Sequence, residues 1–157
     1  MLFKEAPGRA RRSVAHGDII WSSVRPNRRS YSLVLSPEQN LVVSTGFTVI
    51  TARDVPNSYL YHAITTDEFV GYIVGRTTGA AYPAVTAADF ESANLLLPRA
   101  DILESFHDTV ADMLNLCDRL HRQNSSLRKT RDLLLPRLIS GEIGVEDLDI
   151  NTEGLAA

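Results

Sequence analysis

The run "ILESFHDTVADMLNLCDRLHRQNSSLRKTRDLLLPRLI", Ile102 to Ile139, contains no glycine and a single proline, and its reading decides the architecture. Phe106, Val110, Met113, Cys117, Leu120, Asn124, Leu127, Arg131, Leu134 and Leu138 are separated alternately by four and three residues, the spacing of a heptad seam. As a helix this run would reach roughly 55 Å. A small domain cannot bury such a length, so the seam is expected to meet a partner helix. Asn124 and Arg131 place polar groups on it, a choice that costs stability and selects register or partner.

Pro136 falls in the most apolar turn of this run, where it removes one backbone donor. Ser140 and Gly141 follow within a turn, and Gly141 suits the left-handed position that ends a helix. The proline therefore reads as a boundary near the end of a long helix.

Upstream the pattern is different. "GDIIWSSV" (17–24), "SYSLVL" (30–35), "NLVVS" (40–44) and "GFTVITA" (46–52) are short and rich in β-branched and aromatic residues, with Pro, Asn, Gly and Ser between them. They read as strands joined by turns. From about Asn57, Leu60, Ile64, Phe69, Tyr72 and Ile73 recur nearer to helical spacing, which predicts two short helices broken at Thr66 and Asp67, with Asp67 capping the second. "NLLLP" (94–98) reads as a last short strand.

With 157 residues, 44% hydrophobic and 22% charged, the chain has room for one domain plus an extended appendage. No apolar run is long enough to span a bilayer and the N-terminus lacks the apolar core of a signal peptide, so a cytoplasmic protein without a membrane partner is expected. The net charge of −3 conceals a polarity. Residues 1–31 carry seven bases against two acids, or +5, whereas the last twenty carry five acids and no base, or −5. A basic block at one end fits nucleic acid or simply a solvated surface.

The chain offers little for catalysis. His107 and His121 stand roughly 20 Å apart along the predicted helix, too far for one metal, and His16 and His62 lie elsewhere. Cys117, the single cysteine, excludes an internal disulfide and falls on the seam, where an inert buried thiol is the plain expectation. Glu104, Asp108 and Asp112 share a helical face that reads as solvated. "GRTTG" (75–79) lacks the ending of a phosphate-binding loop, and no dinucleotide fingerprint occurs. No catalytic residue and no metal site is expected.

What remains is binding. "RPNRRS" (25–30) sets Arg25, Arg28 and Arg29 around a Pro-Asn turn, and "GRTTGAAYP" (75–83) adds Arg76, Thr77, Thr78 and Tyr82 on a second loop. Arginine can clamp a phosphate or pair bidentately with guanine, an amide such as that of Asn27 can read adenine, and hydroxyls serve either purpose. Ordinary polar loops are the alternative.

The stretch "LRKTRDLLLPRLISGEI" (127–143) closely resembles the conserved helix end of the DNA-specificity (S) subunits of Type I restriction-modification systems. The resemblance extends upstream through "LLLPRADILESFHDTVADML", "TTGAAYPAVTAADFESANLLLP", "VVSTGFTVI" and "GDIIWSSVRPNRRSYSLV", covering roughly residues 10–143. It implies a non-catalytic subunit in which a target-recognition domain reads part of a split sequence in double-stranded DNA. The long helix would pair as a spacer and dock the methyltransferase (M) subunit, with the restriction (R) subunit joining through the complex. S-adenosylmethionine, ATP and Mg²⁺ would then belong to those partners, and no cofactor to this chain.

The sequence thus predicts an α+β protein: a β-rich recognition domain with short helices (1–98), incomplete at its N-terminus against the family, then a coiled-coil-type helix (99–141) and an acidic tail (142–157). Family members carry two recognition domains and two helices. A half-subunit that pairs with a second copy or another S fragment, a fragment unable to bind DNA alone, and a coiled-coil adaptor that binds protein are all open at this point.

Overall fold

The structure, a computed structural model, describes residues 8–79 and 81–144. Among them are strands β1 (Ala10–Ser13), β2 (Ile19–Ser22), β3 (Tyr31–Leu33), β4 (Val42–Ser44) and β5 (Phe47–Ile50), and helices α1 (Asn57–Ala63), α2 (Asp67–Gly75), α3 (Ala87–Glu91) and α4 (Ala100–Ile139). The chain is α+β as its sequence implies. The acidic tail from residue 145 onward, and Lys4 in the basic block, lie outside the described residues.

The strands form two antiparallel sheets, β1-β4 and β3-β2-β5. In the second, β2 is central, with Ile19 opposite Leu33 and Ile50. Its alternation sends Ile19 and Trp21 into the core, where both are fully buried. Ile64, Phe69, Val70, Ile73 and Val85 close around them. Trp21 meets Phe90 edge-on at 5.4 Å between ring centroids, and Phe69 in the same manner at 6.5 Å.

α1 and α2 break where the sequence places the break, but Thr66 and not Asp67 is the N-cap, its hydroxyl accepting from the Phe69 amide at 3.2 Å. Asp67 instead begins the helix. Residues 94–98, read from sequence as a strand, form none: their backbone finds no partner strand, and Leu95, Leu96 and Leu97 are exposed. α3 is an element that the sequence reading lacked. The Asp89 carboxylate reaches back to the Thr86 amide at 2.7 Å and hydroxyl at 2.8 Å, which holds its first turn.

Two compact units divide the chain, Met1–Asn115 and Leu116–Ala157. In the first, the opening turns of α4 pack against α1 through Leu103, which is buried, and Phe106, whose ring stands edge-on to Tyr59 and His62. Two positions of the expected partner seam, Phe106 and Val110, are thereby partly covered within this chain. In the second, α4 continues through Pro136 to Ile139, and Leu120, Leu127, Leu134 and Leu138 are exposed along it. Cys117, expected buried on the seam, is exposed too. Gly141 takes a φ of 73°, the left-handed conformation anticipated for the helix end, and the Ile143 amide returns to the Arg137 carbonyl at 3.1 Å.

Candidate nucleic-acid interface

The arginine turn is more tightly built than its sequence advertises. Pro26–Arg28 forms one turn of 3₁₀ helix, with Pro26 fully buried and its fixed φ starting the turn. Arg25 (φ 52°) and Arg29 (φ 53°) flank it, both in the left-handed region that non-glycine residues avoid. Such a conformation persists only where the surroundings impose it. Here the Arg28 amide donates to Arg25 at 2.9 Å, the Arg29 amide to Pro26 at 3.0 Å, and the Arg25 amide to Pro83 at 2.8 Å. Guanidinium groups rooted in this turn leave from a fixed base.

The last of those bonds brings the second loop alongside. Val24 bridges Ala84, and Ala84 bridges Thr78 through paired bonds of 3.0 Å. The Arg25 guanidinium lies over the ring of Tyr82, 4.9 Å from its centroid, and Tyr82 is 70% exposed. Arg25, far in sequence from Thr78 and Tyr82, thus shares one patch with them. Asn27 and Arg28 project from the turn, exposed, and their side chains make no hydrogen bond or ion pair among the described residues.

Arg29 and Arg76 have acidic partners. Arg29 Nη1 lies 2.6 Å from Asp67 Oδ1, and the hydrogen bond to that carboxylate, then its charge, raises the already high pKa of the guanidinium. Arg76 lies over the ring of Tyr72 at 4.4 Å from the centroid and 4.0 Å from Asp89. Thr77 spends its hydroxyl on the Val74 carbonyl at the end of α2, at 2.8 Å, and so is the least available of the anticipated base-reading groups. Asp67, Asp89 and Tyr72 are the site residues that sequence reasoning missed. Ion pairs between distant segments leave no local signal.

One arrangement resembles a nucleophile and its base. Ser58 Oγ lies 2.8 Å from Nδ1 of His107, a separation that hydrolytic serines use. However, Ser58 is only 1% exposed, so no substrate can reach the hydroxyl, and the pair serves to tie α1 to the start of α4. Beside it lies an apolar groove of about 540 Å³ lined by Tyr59, His62, Phe69, Tyr72, Leu96 and Phe106 among others. His62, its only imidazole, has Nδ1 engaged with the Ser58 carbonyl at 2.8 Å. Among the described residues no three His, Cys, Asp or Glu side chains gather as a metal site, and no helix is long and apolar enough to cross a membrane.

The architecture is that of a β-rich unit presenting arginine-bearing loops, followed by a long helix with an exposed apolar seam. In sequence and in fold the chain is similar to specificity subunits of Type I restriction-modification systems. It is 27% identical over 114 residues to the Type I restriction enzyme HindI specificity subunit of Haemophilus influenzae, covering 70% of this chain and 25% of that protein. Against the MjaIX specificity subunit of Methanocaldococcus jannaschii it is 34% identical over 76 residues, covering 48% and 18% respectively. The crystal structure of the HsdS subunit from Thermoanaerobacter tengcongensis aligns with a TM-score of 0.58 at 27% identity, covering 97% of this chain and 40% of that one. A chain from a structure describing complex assembly and conformational transition of the type I R-M system aligns at 0.56 with the same identity and coverage. No family model matches. The chain spans a quarter or less of the length of these curated relatives.

Proposed function

We propose that the chain is a DNA-specificity subunit, or half-subunit, of a Type I restriction-modification complex, non-catalytic and working in the cytoplasm. Residues 1–98 read one part of a split target in double-stranded DNA, and residues 99–141 form the spacer that pairs with a second S-type chain and docks the methyltransferase subunit, with the restriction subunit joining afterwards. The observation that supports this most is the rigid arginine turn at Pro26–Arg28 with Tyr82 and Thr78 stitched to it, in a chain related to specificity subunits. Arg28 and Arg25 are the main phosphate or guanine contacts, Arg29 and Arg76 contribute on release from their acidic partners, and Asn27 and Thr78 read base edges.

The test is retention of duplex DNA at two salt concentrations, with the methyltransferase subunit present. Replacing Arg25, Arg28, Arg29 and Arg76 together by glutamine is expected to remove salt-sensitive retention. Unchanged binding by that variant refutes the assignment of these residues. No salt-sensitive retention by the unaltered chain points instead to an adaptor that binds protein, or to a fragment without DNA binding of its own.

A further inference from the structure

Asp67 has no place in a simple picture of cationic loops meeting DNA. It is an acid, 85% exposed, standing in ion-pair contact with one of the arginines assigned to that task. Nothing about α2 requires it to hold Arg29. Thr66 already caps the helix through the Phe69 amide, and a carboxylate in the first helical turn is favoured by the exposed amides there whether or not an arginine is near. Arg29, by contrast, is delivered to Asp67 by a backbone held in the left-handed region and by a turn pinned at both ends. The backbone fixes where the side chain starts, and what its guanidinium meets in the unbound chain is a carboxylate.

Resting on the DNA-binding reading, we propose that Asp67 is a built-in competitor for Arg29: it holds the guanidinium in the free protein and gives way to a backbone phosphate of duplex DNA. The exchange is cheap on both sides. The pair is exposed, 49% and 85% for the two side chains, and so is weak in water. A phosphate offers the same planar fork two acceptor oxygens. Once released, the carboxylate remains at the favourable end of α2 and open to solvent, so it is not stranded. Every duplex must displace it, whatever its sequence. Asp67 therefore lowers affinity uniformly and raises the share of recognition that must come from base contacts, while Arg28 beside it carries no such tax among the described residues.

The experiment uses the full chain with the methyltransferase subunit present and fluorescein-labelled duplexes of unrelated sequence, titrated at low and moderate salt, with Asp67→Asn, Arg29→Gln and the double variant. Asp67→Asn is expected to tighten binding to all duplexes by about two- to fivefold at low salt, the range set by an exposed ion pair. Its log–log salt dependence should steepen, and the gain should vanish in the Arg29→Gln background. Asp67→Ser, which keeps a side chain suited to the helix start, is expected to behave likewise and guards against misfolding of one variant. A gain that persists without Arg29 overturns the inference in favour of bulk charge removal. Wild-type binding that neither variant tightens, with lowered thermal stability, makes the pair a structural clamp. If the wild-type chain shows no salt-sensitive binding, the DNA reading itself falls and takes this inference with it.

Discussion

The indole N–H of Trp21, in the central strand, donates to the carbonyl of Ile64 at the end of α1, 3.2 Å away. That carbonyl belongs to the group a helix end leaves without an internal partner. Ile64 is itself buried, so the bond from Trp21 is what spares the carbonyl an unpaired burial. Trp21→Ala is expected to cost about 3–5 kcal/mol in urea unfolding, from cavity and lost donor together. Trp21→Phe removes the donor and opens a smaller cavity than alanine does, expected at about 1–3 kcal/mol. An alanine variant within experimental error of wild type would show that the core is organised around some other residue.

The strands around Trp21 were legible because alternation and turn residues carry their own signal. β1 was not: "ARRS" has no apolar face, and it is a strand only because β4 supplies backbone partners, with a register shift between Ala10 and Arg12. "NLLLP" failed the opposite way, having strand composition and no neighbour to pair with. α3 is shorter than any periodic window, although Thr86 and Asp89 carry a capping signal that could have found it. In the candidate interface, loop position was readable at every arginine. The left-handed backbone at Arg25 and Arg29 was not, since neither is a glycine, and the pairings with Asp67 and Asp89 depend on how distant segments meet.

Asp89 links stability of that interface to pH. The hydrogen bonds from the Thr86 amide and hydroxyl, in that order, and then the charge of Arg76 outweigh desolvation and hold its carboxyl below the ordinary carboxylate range. A depressed pKa in the folded state means that the stabilisation is present above the unfolded pKa and is lost as pH falls through the lower folded value. The Asp89 side-chain carbon is therefore expected to titrate below exposed carboxylates by NMR, and the Thr86 amide to lose protection in the same acid window. Asp89→Asn should abolish that pH dependence. Titration of Asp89 at or above the ordinary value would mean that the bonds to Thr86 do not form in solution.

His107, which the sequence left without a role in a metal site, has its Nδ1 as the partner of the buried Ser58 hydroxyl. Removing one member strands the other, whereas removing both leaves nothing unpaired. His107→Leu alone is expected to lose about 1–3 kcal/mol, and Ser58→Ala combined with His107→Leu to recover a measurable part of that loss. Strictly additive losses in the double variant would show that no coupling exists between α1 and the start of α4 through this bond.

Beyond Asn115 the apolar seam is uncovered. Leu127 is 66% exposed, and Leu120, Leu134 and Leu138 continue its line at spacings of seven, seven and four residues. Leucines repeating in this way on one helix face are sequestered by another helix or left as an association hazard. Asn124 sits among them, and a buried amide at a seam position favours the arrangement in which it finds a partner. The half-subunit reading thus expects self-association that depends on concentration in sedimentation. Leu120→Asp with Leu127→Asp should abolish it while leaving the Trp21 core's unfolding transition in place, because those residues lie outside the first compact unit. Asn124→Leu should tighten association and broaden the distribution of oligomers, since it removes the cost and the register signal together. A wild-type chain that stays monomeric at every concentration, alone and with a methyltransferase subunit present, would refute pairing through this helix.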